Sequence, residues 1–118
     1  MLEGIDHVQL AAPPGCEDEA RRFFGDLLGL RELEKPEPLR SRGGAWFRVG
    51  DQQLHVGVDA AFVPARKAHP AFTVRSYDAL RERLRAAGVA VTDDGGLRGV
   101  RRCYVEDPFG NRIELIAA

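Results

Sequence analysis

Three histidines occur in this chain of 118 residues, and two of them, His7 and His69, open matching apolar runs, Asp6-His7-Val8-Gln9-Leu10 and Ala68-His69-Pro70-Ala71-Phe72. The third, His55, sits in Gln53-Leu54-His55-Val56-Gly57, where the second half of the chain has Arg112-Ile113-Glu114-Leu115-Ile116. His7, His55, His69 and Glu114 are thus two pairs at matching places of a repeat, a pattern that suggests a site for one divalent metal ion. Imidazole nitrogens with a carboxylate suit zinc, iron, nickel or manganese better than calcium or magnesium, which favour oxygen ligands. His7, His69 and Glu114 alone would form a facial triad with open positions on an octahedral ion. With His55 as a fourth ligand a tetrahedral zinc is saturated, whereas a six-coordinate ion keeps two adjacent positions for neighbouring substrate oxygens. A lone strand histidine is more simply a hydrogen-bonded residue, and Glu114 could face water; the joint recurrence favours ligation.

The elements that must position these residues follow from periodicity. Residues 4 to 11 read as a strand, stopped by Pro13-Pro14-Gly15, and 17 to 28 as a helix with Ala20, Phe23, Phe24, Leu27 and Leu28 on one face. Glu17, Asp18 and Glu19 suit its positive N-terminal end, and Gly29 is its stop. Strands fit 30 to 34, 45 to 49 and 53 to 58, with a turn at Gly50-Asp51-Gln52. The second half repeats the order: a strand at 70 to 75, a helix at 77 to 87 stopped by Gly88, then strands at 89 to 92, 101 to 105 and 112 to 117. Asp107-Pro108-Phe109-Gly110-Asn111 is a strong turn, with Gly110 or Asn111 to accept positive φ.

These spans predict an α+β fold of two βαβββ units, forming a curved mixed-sheet cavity with the helices on the outer face. The single domain, 1 to 118, comprises unit one at about 1 to 59, a connector at 60 to 68 and unit two at about 69 to 118. Side chains alternate along a strand, so His7 shares a cavity face with Gln9, while Val8 and Leu10 turn toward the helix. The same parity groups Gln53, His55 and Gly57, and Arg112, Glu114 and Ile116. Arg102 and Tyr104 alternate with Cys103 and Val105, so both could meet an anionic or carbonyl group of a substrate. Gln9 and Trp46 are further candidate substrate contacts, Trp46 being equally a core or cavity wall. Phe62, Arg66 and Lys67 form either a charged surface linker or a segment that closes over a ligand.

Charge is balanced, 17 basic against 18 acidic residues, which argues against a nucleic-acid or membrane partner and leaves a small-molecule substrate. No run approaches the roughly 20 apolar residues of a membrane span, and the start lacks a signal-peptide pattern, so a cytoplasmic protein is expected. Cys16 and Cys103 fit buried free thiols rather than a zinc motif or nucleophile. Ser41 and Ser76 lack a nucleophile elbow, and Gly43-Gly44 and Gly95-Gly96 lack the ending of a phosphate loop.

Ile5-Asp6-His7-Val8, Arg22-Phe23-Phe24-Gly25-Asp26-Leu27-Leu28-Gly29-Leu30, His69-Pro70-Ala71-Phe72-Thr73-Val74 and Asp107-Pro108-Phe109-Gly110-Asn111-Arg112-Ile113-Glu114-Leu115 together resemble the vicinal oxygen chelate superfamily. That superfamily includes glyoxalases, fosfomycin-resistance and bleomycin-resistance proteins, and extradiol dioxygenases. The resemblance covers nearly the whole chain. It implies ligands from the first, fifth and eighth strands, here His7, His69 and Glu114, with a fourth-strand position at His55, where glyoxalases usually carry glutamate. It also implies a homodimer. The resulting expectation is a divalent-metal-dependent enzyme, of lyase or isomerase type, that binds two adjacent oxygens of a small substrate. In it the metal acts as Lewis acid and Glu114 or His55 moves the proton. The alternatives are a ferrous extradiol-type dioxygenase and a non-enzymatic drug-binding or small-molecule-binding protein of the bleomycin-resistance type.

Overall fold

A computed structural model describes residues 1 to 118. The chain divides into two compact units, Met1–Pro64 and Ala65–Ala118. Unit one carries β1 (His7–Ala12), α1 (Glu17–Ala20) running into a π-helical stretch (Arg21–Leu27), β2 (Arg31–Leu33), α2 (Glu37–Arg40), β3 (Ala45–Val49) and β4 (Gln52–Val58). Unit two carries β5 (Ala71–Val74), α3 (Tyr77–Ala86), β6 (Thr92–Asp93), β7 (Arg102–Glu106) and β8 (Arg112–Ala117). Each unit is one four-stranded sheet, in the orders β1-β4-β3-β2 and β5-β8-β7-β6. In both, the first strand pairs parallel to the last, and the other neighbours are antiparallel. The expected α+β architecture of two βαβββ units is therefore present. No helix is long and apolar enough to cross a membrane.

Alternation decides which face packs. In unit one Leu10, Ala12, Phe47, Leu54 and Val56 are buried together with Phe23 and Phe24 of the π-helical stretch, and the Phe24 and Phe47 rings lie 5.7 Å apart. In unit two Cys103, Val105, Ile113 and Leu115 are buried with Tyr77 and Leu84 of α3. Burial pushes the Tyr77 hydroxyl up to about 12, helped by its hydrogen bond with Cys103. Both cysteines are free and buried, as their apolar surroundings suggest. β4 and β8 differ from the other strands because they are buried on both faces, at Leu54-His55-Val56 and Ile113-Glu114-Leu115.

Three local expectations need correction, and one short helix, α2, was not anticipated. The helix from 17 is α-helical only to Ala20; beyond it the Leu28 N–H reaches the Phe23 carbonyl at 2.9 Å and the Leu30 N–H the Phe24 carbonyl at 3.0 Å. The widened turns place two consecutive phenylalanines in the core. The strand expected at 89 to 92 shrinks to Thr92–Asp93, because Val89 belongs to the end of α3. There the Gly88 N–H bonds the Arg85 carbonyl and the Val89 N–H the Leu84 carbonyl, a Schellman closure around Gly88. α2 follows Pro36 and holds Pro38 in its first turn, where a missing N–H is harmless. β5 begins at Ala71, so His69 precedes the strand, although the Glu114 N–H still bonds the Pro70 carbonyl at 3.0 Å.

Glu17 does more than complement the helix end: its Oε2 accepts the Gly44 N–H at 2.6 Å and ties the loop before β3 to the start of α1. That backbone bond, opposed by burial, holds the carboxyl below the usual glutamate range. Gly44 has φ +83, and a Cβ there would lie 2.0 Å from the Val56 carbonyl oxygen, within the β4 backbone. Gly50, at φ +57 in the β3–β4 turn, has open space around it. Gly50→Ala should therefore cost about 1–2 kcal/mol, the strain of a left-handed alanine. Gly44→Ala should cost more than about 4 kcal/mol, since the backbone itself must move. Urea unfolding of the two variants checks the difference, and equal losses would refute the close packing of the 43 to 44 loop on β4.

Candidate functional site

In unit one the register aligns Gln9 of β1, His55 of β4 and Trp46 of β3 in one row across the sheet. Trp46 and His55 stack at 3.8 Å with planes 2° apart, and His7 covers the other face of His55 at 4.1 Å and 18°. The three rings form one column. Gln9 lies over Gly57, where a Cβ would fall 2.5 Å from the Gln9 amide nitrogen. Asp6 Oδ1 is 2.8 Å from His7 Nδ1, and Gln53 Oε1 is 2.8 Å from His55 Nε2. His55 is buried, 5% exposed, and burial with the neighbouring His7 lowers its pKa from the ordinary histidine value.

In unit two the equivalent row is Ala71 of β5, Glu114 of β8, Tyr104 of β7 and Thr92 of β6. Glu114 thus occupies the place of His55, and Tyr104 that of Trp46. His69 Nδ1 lies 2.8 Å from the Lys67 carbonyl oxygen and its Nε2 3.0 Å from Glu114 Oε1. The ring meets Tyr104 edge-on at 5.4 Å. Arg102 Nη1 donates to Glu114 Oε2 at 3.2 Å and Nη2 to Asp94 Oδ2 at 2.9 Å, while its buried Nε has no partner. Burial alone would raise the Glu114 pKa, but the bonds from His69 and Arg102 outweigh it and keep the carboxyl below its ordinary range. Arg112 lies over Tyr104, its Cζ 3.8 Å from the ring centre.

The four candidate ligands therefore stand as two pairs, one in each unit, and no three His, Cys, Asp or Glu side chains are grouped as a metal site. The donor chemistry of each pair differs. A His69 whose Nδ1–H serves the Lys67 carbonyl turns a lone pair toward Glu114, so a proton or a cation must lie between Nε2 and Oε1. The 3.0 Å separation is that of an ordinary hydrogen bond. His7 has the carboxylate-backed Nδ1 of a metal-ligating histidine, with Nε2 free. His55 fits less well. Gln53 occupies its Nε2, and the in-plane lone pairs of nearly parallel rings run side by side rather than converging.

Asp6, Gln53, Asp94 and Arg112 were not singled out from the sequence as site residues. Asp6 and Gln53 had a signal, being the chain neighbour of His7 and the same-face neighbour of His55. Asp94 had none, since only the β6–β7 pairing brings it to Arg102. In the connector, Ala65 is tied at both backbone atoms, its N–H to Asn111 Oδ1 at 3.0 Å and its carbonyl to the Arg112 N–H at 2.9 Å. Phe62 bonds back to Asp59 through its backbone N–H.

Trp46 is the sole tryptophan, so its emission reports the ring column. Protonated imidazole quenches stacked indole, and His55 takes its proton only below the ordinary value of 6.5. On acidification from pH 8, Trp46 emission should fall with a midpoint below 6.5, and His55→Ala should abolish that step. A midpoint above 6.5, or an unchanged step in the variant, would contradict the burial of His55 between the rings.

The sequence matches the family described as the Glyoxalase/Bleomycin resistance protein/Dioxygenase superfamily over residues 4–115. No curated protein matches it. Among solved structures, a protein from Bacillus anthracis assigned to the glyoxalase family is 51% identical, with 99% of this chain and 96% of that chain covered and a TM-score of 0.96. The fosfomycin resistance protein FosX from Listeria monocytogenes shares the fold at 20% identity, with a TM-score of 0.79 over 100% of this chain and 95% of that one. Lactoylglutathione lyase from Agrobacterium tumefaciens does so at 21% identity, with a TM-score of 0.76 over 99% and 95%. The chain belongs to the glyoxalase/bleomycin resistance protein/dioxygenase superfamily.

Proposed function

We propose that this chain is a divalent-metal-dependent enzyme that takes a small substrate through two adjacent oxygens and carries out an isomerase or lyase reaction. The observation that carries this reading is the His69–Glu114 pair, whose facing nitrogen and oxygen, 3.0 Å apart, need a cation or proton between them. His7, His69 and Glu114 would hold the ion, the first oriented by Asp6 and the others by the Lys67 carbonyl and Arg102. When bound, the ion supplies Lewis acidity and adjacent open positions for substrate oxygens.

The remaining work falls to the chain's own groups. With Gln53 Oε1 accepting from Nε2–H, His55 keeps its basic lone pair on Nδ1. Burial keeps that imidazole neutral at pH 7, as a proton acceptor must be. Trp46 and His7 fix the ring plane from both sides, so the proton is moved by a base with little freedom to turn. Arg102, bonded to Asp94 and Glu114, holds the Glu114 carboxylate in place, and Tyr104 and Gln9 lie beside the ligands as substrate contacts.

Two histidines and a carboxylate are also the ligand set of ferrous oxygenases, so the identity of the metal separates the isomerase or lyase from a dioxygenase. Elemental analysis of protein purified without added metal should find a divalent ion that is lost in His7→Ala and Glu114→Ala and retained in His55→Ala. Undiminished metal in Glu114→Ala would overturn the ligand set, and loss in His55→Ala would overturn the three-ligand reading. Iron together with oxygen uptake on a catechol would favour the dioxygenase.

A further inference from the structure

We infer that Arg112, held over the ring of Tyr104, is the anchor for a carboxylate on the substrate. The inference deepens the proposed function by naming a second group on the same small molecule.

Arg112 and Glu114 are two residues apart on β8 and lie on one face, as Gln53 and His55 do on β4. Gln53 uses that proximity to bond His55. Arg112 has no such bond, because Glu114 is fully engaged, Oε1 by His69 and Oε2 by Arg102. Glu106 is its partner directly across the β7–β8 pair, yet it is exposed and forms no ion pair with Arg112. The guanidinium instead turns onto the ring of Tyr104, 3.8 Å from its centre.

The two arginines that flank Tyr104 thus differ. Arg102, 5.9 Å from the ring, is neutralised by Glu114 and Asp94. Arg112 is the surplus cation of this face, and its N–H donors have no protein acceptor. The cation–π contact holds the guanidinium against the ring, and its N–H groups, with no protein acceptor, can meet a carboxylate in bidentate fashion. A lysine would supply the charge without the fork. The ligand class is a small carboxylate-bearing molecule, its acid group on Arg112 beside Tyr104.

Nuclear magnetic resonance of the arginine Nε–H groups of the full chain tests this, in protein as purified and after chelator treatment, with oxalate and methylphosphonate as probes. Oxalate should shift the Arg112 resonance in both preparations. In chelator-treated protein Arg112→Met should weaken oxalate binding about tenfold or more, with Arg112→Lys recovering part of it and melting temperatures little changed. Equal oxalate binding by wild type and Arg112→Met would overturn the assignment, as would a variant that loses only stability. Binding of methylphosphonate but not oxalate would overturn the carboxylate in favour of a tetrahedral oxyanion. Because the chelated protein carries the decisive comparison, failure here leaves the metal reading standing, and absence of copurified metal leaves this one standing.

Discussion

The constraint on which the rest depends is that the last strand of each unit is buried on both faces. β4 and β8 lie second in their sheets, each flanked by a parallel and an antiparallel neighbour. One face of each meets the helix side of its unit through Leu54 and Val56 or Ile113 and Leu115. The other face carries a polar group, His55 or Glu114, exposed by only 5% and 6%. A buried polar group without partners costs a few kcal/mol, so both positions require dedicated neighbours. The two units meet that requirement with different chemistry: two stacked rings and an amide around His55, and an imidazole and a guanidinium around Glu114.

Much of this was legible in the sequence because strand alternation is a strict period of two. The face shared by Gln53, His55 and Gly57, and by Arg112, Glu114 and Ile116, follows from counting, and the buried parity of Cys103 and Val105 followed likewise. Gly29, Gly50, Gly88 and Gly110 all take positive φ at the stops and turns where they were expected. What could not be read off depends on hydrogen bonds rather than periodicity. An α-helix and a π-helical stretch present similar apolar spacing over seven residues, so the switch at Arg21 has no simple sequence mark. Val89 reads as a strand residue by composition but is taken by the closure of α3. The second partner of Arg102 comes from a two-residue strand, too short for any pattern.

The same register also shows how the two units have diverged. Arg102 stands two residues before Tyr104, and the equivalent place before Trp46 is Gly44. Gly44 has no room for a side chain, since the Val56 carbonyl fills the position of a Cβ. Unit one therefore cannot acquire a counterpart of Arg102 without remodelling its loop, and the Glu17 bond to the Gly44 N–H holds that loop where it is. The partner across the sheet differs as well: Gly57 leaves a floor for the Gln9 side chain, whereas Ile116 fills its counterpart. A duplicated scaffold has become asymmetric through a few small residues.

That asymmetry gives the two buried polar groups different surroundings. Unit two holds Arg102, Arg112 and Glu114 on one sheet face, with Asp94 paired to Arg102, a concentrated set of charges. Unit one instead carries the amide of Gln9 and the Trp46–His55–His7 column, in which burial lowers the proton affinity of the His55 imidazole. Desolvation beside an aromatic wall and bonds to fixed cations are two different causes that lower proton affinity. His55 loses affinity for its proton through desolvation, and Glu114 through its bonds to His69 and Arg102 despite desolvation. Each group is thus unprotonated at neutral pH, for reasons set by which neighbours each buried strand was given.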